Sequence, residues 1–82
     1  LPAGIPAAAS AIFVTVTATQ AKSAGFITLW GSGSTPNTSN LNYQAGSVAV
    51  ANTTLTRVVK GGFQMFNSSP TQIILDVVGY TL

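Results

Sequence analysis

Apolar and polar side chains alternate along most of this chain. From Ser10 to Thr19 (SAIFVTVTAT), Ile12, Val14 and Val16 fall on one side and Phe13, Thr15 and Thr17 on the other. A period of two with β-branched content predicts a half-buried strand. Ala21 to Gly25 (AKSAG) reads as a turn into a second strand, Phe26 to Trp30 (FITLW), and the short connection predicts that the two form a hairpin. Gly31 to Asn40 (GSGSTPNTSN) has the composition of a surface loop. Leu41 to Tyr43 is a short strand ended by Gln44-Ala45-Gly46. Ser47 to Val59 alternates again but changes phase near Asn52, which predicts a bulge or break there. Lys60-Gly61-Gly62 is a tight turn, Phe63 to Phe66 a strand, Asn67 to Pro70 a turn, and Thr71 to Tyr80 the last strand.

No segment has the 3.6-residue period and caps of a helix. Six or seven short strands with frequent turn signals predict an all-β fold, a small antiparallel β-sandwich or a barrel-like variant of it. The chain is read as one domain, 1–82, with 1–9 as an extended N-terminal arm able to lie across a neighbour's sheet edge. The last strand contains IILDVV, apolar at both parities. It is expected in the middle of a sheet, or with one face covered by another copy.

Composition sharpens this picture through what is missing. Hydrophobic residues make up 46% of the chain and charged residues 5%, the reverse of a disordered composition. The charges are Lys22, Arg57, Lys60 and Asp76, a net of +2, so Ser, Thr, Asn and Gln solvate the surface. Such a surface offers little electrostatic resistance to self-association. Three scattered cations do not form the clustered patch that nucleic acid requires. The first residues, LPAGIPAAASAIFV, lack the positive region of a signal peptide and carry Pro2 and Pro6. No uncharged stretch reads as a membrane helix, so membrane insertion is not expected. With no initiating Met, the chain is expected to be a processed product or a piece of something longer.

The same inventory argues against catalysis. There is no His and no Cys, which removes the usual bases, nucleophiles and zinc ligands. A Ser-Lys dyad would need Lys22 or Lys60 buried, and both fall in turns. Asp76 is the only acid, so neither a carboxylate pair nor a calcium cage can be assembled. Gly31-Ser32-Gly33-Ser34 runs into proline and asparagine rather than the helix a phosphate loop opens. No enzyme activity, cofactor or metal site is expected. Asp76 itself shares parity with Ile74 and Val78. It is expected to find a partner within the domain, such as Arg57, so that Asp76→Ala would destabilise the fold.

Of the aromatic residues, Phe13 and Phe26 read as strand packing. Trp30, which ends its strand at the Gly31–Asn40 loop, is the foremost candidate for an exposed contact, joined by Tyr43, Asn40 and Tyr80. Three N-x-S/T triplets, at Asn37, Asn52 and Asn67, are weak glycosylation signals in a chain of this composition.

VTVTATQAKSAGFITLW (Val14 to Trp30), TSNLNYQAGSVAVANTTLTRV (Thr38 to Val58) and QMFNSSPTQIILDVVGY (Gln64 to Tyr80) together cover nearly the whole chain. They resemble a repeat of secreted, surface-associated proteins of Gram-positive bacteria, chiefly actinobacteria, with S-N-L-N-Y and D-V-V-G-Y as its most specific signatures. The resemblance implies export to the cell surface, a non-catalytic β-sandwich and a structural or adhesive part, with no catalytic residues to transfer. Asn40, Asn42, Asn52 and Asp76 match the family's polar positions, and Asn42, Asn52 and Asp76 are read as structural hydrogen-bonding groups. The chain departs from the pattern in ending Tyr80-Thr81-Leu82, in its Ala-rich start and in its longer 31–40 loop.

Two functions follow as expectations. One is a structural or interaction module, a stalk repeat or a self-assembling subunit of a filament or layer, whose partners are further copies or neighbouring repeats. The alternative is a carbohydrate-binding module accessory to a secreted hydrolase, holding polysaccharide through Trp30 or Tyr43.

Overall fold

The computed structural model describes residues 4–46 and 48–82. Six strands follow in chain order: β1 (Ala11–Thr19), β2 (Gly25–Trp30), β3 (Leu41–Tyr43), β4 (Val50–Arg57), β5 (Gln64–Asn67) and β6 (Gln72–Thr81). They form two three-stranded sheets, β4-β1-β6 and β3-β2-β5, in which every pairing is antiparallel. The domain is a small β-sandwich with no helix among the described residues. Its smallest extent, 14 Å, suits two sheets stacked face to face at about 10 Å.

The alternation in the sequence becomes the two faces of each sheet. On β1, Ile12, Val14, Val16 and Ala18 point inward and are buried, while Phe13, Thr15 and Thr17 face out. Ile27 and Leu29 of β2, with Leu41 and Tyr43 of β3, close the core from the other sheet. The fully buried residues belong to the two central strands, and the flanking strands supply partly buried Val50, Ile73 and Val77.

The expected hairpin of the first two strands does not form. β1 and β2 are the centres of different sheets, joined by the turn after Thr19. Both strands carry an inward apolar row, and stacking those rows face to face buries both, which pairing them side by side in one sheet would not. The expected bulge near Asn52 is absent too, because β4 runs along β1 in unbroken register from Ala18↔Val50 to Ala11↔Arg57. The phase change was a change of polarity and not of direction: Leu55 points outward and is 56% exposed, whereas Thr56 points inward and is buried. The register shift lies instead between β1 and β6, at Phe13/Val14, leaving Val78 unmatched between Val77 and Gly79.

The last strand is not central. β6 lies at the edge of its sheet. The segment ahead of β1 also departs from expectation. Among its described residues, Ala9 N–H donates to the Pro6 carbonyl at 3.0 Å, Ala9 is buried and Ile5 packs against the core. Gly4 to Ala9 therefore folds back on its own domain and is not a free arm; residues 1–3 lie outside the described residues. At Lys60-Gly61 the chain reverses with both residues at positive φ, 53° and 78°. Val59 and Gly62 exchange two backbone hydrogen bonds, of 2.9 and 3.1 Å. That is the two-residue hairpin turn whose twist matches the strands, and it needs a residue such as glycine without left-handed strain.

Candidate functional site

Two surfaces stand out, one on each sheet. The first is built by the 31–40 loop. Phe26, Thr28 and Trp30 form the outward row of β2, yet Thr28 is fully buried. The loop covers it, and the Thr28 hydroxyl donates to the Thr38 carbonyl at 2.6 Å. Beside the covered threonine a cleft of about 360 Å³ remains, lined by Phe26, Phe66, Asn37, Asn42 and the loop residues from Thr35 to Ser39. Phe66 lies opposite Thr28 on β5 and Asn42 opposite Phe26 on β3. The two rings meet with centroids 5.7 Å apart and planes tilted by 44°. No charged side chain lines the cleft.

Asn40 fastens the loop's far end. Its Oδ1 accepts the Leu29 N–H at 2.6 Å and its Nδ2 donates to the Thr54 hydroxyl at 3.2 Å. Its backbone N–H donates to the Ile27 carbonyl, and its carbonyl accepts from Asn52 Nδ2 at 2.8 Å. Asn40 and Asn52 thus clasp β4 to the opposite sheet. Asn40, expected as a ligand or subunit contact, has its whole side chain engaged in that clasp. Asn52 sits in the structural network.

Tyr43 was expected at a contact surface but is only 3% exposed. Its row on β3 faces inward, and its single hydroxyl proton is shared between Asn67 Oδ1 and the Ser69 carbonyl. A Cβ on Gly25 would collide with that hydroxyl, so the glycine makes room for the ring. Trp30 is partly buried, and its indole N–H donates to the Gly33 carbonyl at 3.0 Å, bracing the loop from outside the cleft. Tyr80 is exposed on β6.

Asn42 and Asp76 reverse their expected parts. Asn42 is exposed and its amide makes no hydrogen bond among the described residues, so it belongs to the cleft and not to a structural network. Asp76 is exposed opposite Thr15 on the outer face, with no ion pair or hydrogen bond among the described residues. It needs no partner, because water reaches it. IILDVV suggests burial on both faces, whereas nothing among the described residues covers the outer face of this sheet, on which Asp76 lies opposite Thr15.

That edge is the second surface. Ile74, Leu75, Val78 and Tyr80 of β6 are all substantially exposed, Ile74 by 51% and Val78 by 64%. The hydrogen bonds that reach β6 come from β1, from Ser10 just ahead of it and from neighbouring Thr71. Its outer side is unpaired among the described residues. Phe26 and Phe66 were not selected from the sequence, although parity already put Phe26 in register with Trp30. What placed them together was the pairing of β2 with β5, which alternation does not encode. Compared with protein-family models, curated proteins and solved structures, the chain matches none.

Proposed function

We propose that this domain is a non-catalytic, extracellular structural and interaction module that joins further copies of itself, or neighbouring domains like it, through the outer edge of β6. The observation that carries this reading is the edge itself. A ten-residue strand borders its sheet with apolar side chains exposed on it and Asp76 as its only charge. Isolated domains usually blunt such an edge with lysine, proline or a covering segment. Here Val78 interrupts the pairing only near the C-terminal end, leaving Gln72 to Val77 free to accept another strand. The low overall charge supports the same reading, and the absence of His, Cys and a second carboxylate supports a role without catalysis. Location outside the cell rests on the resemblance to secreted surface repeats.

Light scattering over a concentration series tests the proposal. The wild-type chain should grow in mass with concentration, and Ile74→Lys with Val78→Lys should hold it as a monomer with unchanged melting. A wild-type monomer at every concentration, or a doubly substituted chain that still assembles, would overturn the reading.

A further inference from the structure

We infer that the cleft over Phe26 and Phe66 is a binding site for a neutral carbohydrate, separate from the β6 edge and independent of any assembly there. The floor is aromatic and partly open: Phe26 is 38% and Phe66 42% exposed, although phenyl rings bury large apolar areas when they can. Their tilt leaves two apolar faces inclined to one another, a shape on which the C–H face of a sugar ring can rest.

The rim supplies the complementary chemistry. Asn37 and Asn42 have amides with no hydrogen bond among the described residues, and Thr35 and Ser39 line the same cleft. Side-chain amides both donate and accept, which is what a ring of sugar hydroxyls requires. The lack of any charged lining residue decides the ligand's charge. An anionic sugar would lose water with no cation to receive it, and a cationic ligand would meet no carboxylate. A volume of about 360 Å³ lies at the small end of the range of roughly 300–1,000 Å³ that ligand pockets occupy.

The wall is also held in place. Thr28 pins Thr38 from below, Asn40 anchors the loop's far end to β2 and β4, and Trp30 holds Gly33 at its start. A ligand would therefore not have to order the loop, which lowers the cost of binding. Thr28 and Asn40 are positioning residues here; Phe26, Phe66, Asn37 and Asn42 are the contact residues. The sugar-binding expectation formed from the sequence thus moves from Trp30 and Tyr43, both engaged elsewhere, to a phenylalanine pair.

The test is titration of the isotope-labelled chain with cellohexaose, xylohexaose, maltohexaose and chitohexaose, followed by amide chemical shifts. At least one of these should move the signals of Phe26, Asn37, Asn42 and Phe66 saturably, leaving those of β6 in place. Asn42→Ala, which removes no internal hydrogen bond, should weaken that binding by about fivefold to tenfold. Phe66→Leu, which keeps apolar bulk but loses the ring, should weaken it by about tenfold, and both variants should melt as the wild type does. No shift with any of the four sugars, shifts that spare the cleft, or unchanged affinity in both folded variants would overturn the inference. Tighter binding of hexagalacturonate than of the neutral sugars would overturn it as well.

Discussion

The two edges of the β4-β1-β6 sheet flank the same central strand and are finished in opposite ways. On the β4 side, asparagine amides reach across the sandwich: Asn40 binds Thr54, and Asn52 binds the Asn40 carbonyl. On the β6 side no side-chain hydrogen bond crosses the sandwich among the described residues, and Ile74, Leu75, Val78 and Tyr80 are exposed. The sequence composition of the strands follows the difference. β4 reads VANTTLTR and β6 reads QIILDVVGYT. A strand whose polar groups are used inside the domain can afford few exposed apolar side chains, while a strand left open keeps the residues that pair well with another strand. The contrast sets an edge tied to the opposite sheet against one whose outer side is unpaired among the described residues, the edge through which assembly is proposed.

The sharpest way to break the contrast is to undo the closed edge. Asn40→Ala removes the acceptor for the buried Leu29 N–H and the link to Thr54 together. It should cost about 3 kcal/mol of stability, since an orphaned buried donor adds to the lost bond, and lower the Tm by about 10 °C or more. Urea unfolding would show it, and a loss below about 1 kcal/mol would mean that the clasp does not hold β4. A smaller effect of opposite sign is expected next to it. The Thr56 hydroxyl is buried on β4 with no hydrogen-bond partner among the described residues. Thr56→Val keeps the shape, removes the orphan and should stabilise the fold by about 1 kcal/mol in the same assay.

The smallest change in stability belongs to the open edge. Asp76→Ala should alter unfolding by less than about 0.5 kcal/mol, as exposed substitutions without partners do. It should, however, lower the concentration at which the chain associates, because it removes the only charge on β6. Sedimentation at matched concentrations separates the two readouts. A clear destabilisation would restore the partnered carboxylate expected from the sequence.

Which segments are strands was legible because alternation is a local property. Each of the six strands lies within about a residue of its expected span, except that β4 begins at Val50 and ends at Arg57 where Ser47 to Val59 was expected. Alternation assigns a face to each residue but does not assign a neighbour to each strand. For that reason the pattern predicts a β1–β2 hairpin where the two strands stack across the core, and it leaves a central place or a face covered by another copy equally open for β6, which forms an edge. The same gap hid the cleft. Phe26 and Phe66 are forty residues apart in the chain and meet only because β2 pairs with β5. Polarity also misled where it disagreed with parity, at outward Leu55, inward Thr56 and unpartnered Asp76. Tyr43 and Asn40 read as surface groups because Tyr and Asn commonly are; the close approach of Gly25 lets Tyr43 sit buried, and the Leu29 N–H and Thr54 hydroxyl that engage Asn40 are brought within reach only by the fold.

The pairing of Ala11 with both Arg57 and Thr81 has a kinetic consequence. The central strand β1 is made before both of its neighbours, and β6 is made after β4. The β1–β4 pair can form beforehand, but the β4-β1-β6 sheet is not complete until β6 has been made, and such distant pairings fold slowly, in milliseconds to seconds. One side of β1 therefore stays uncovered in a growing chain until the ten residues of β6 are free, and closing that side is a late step.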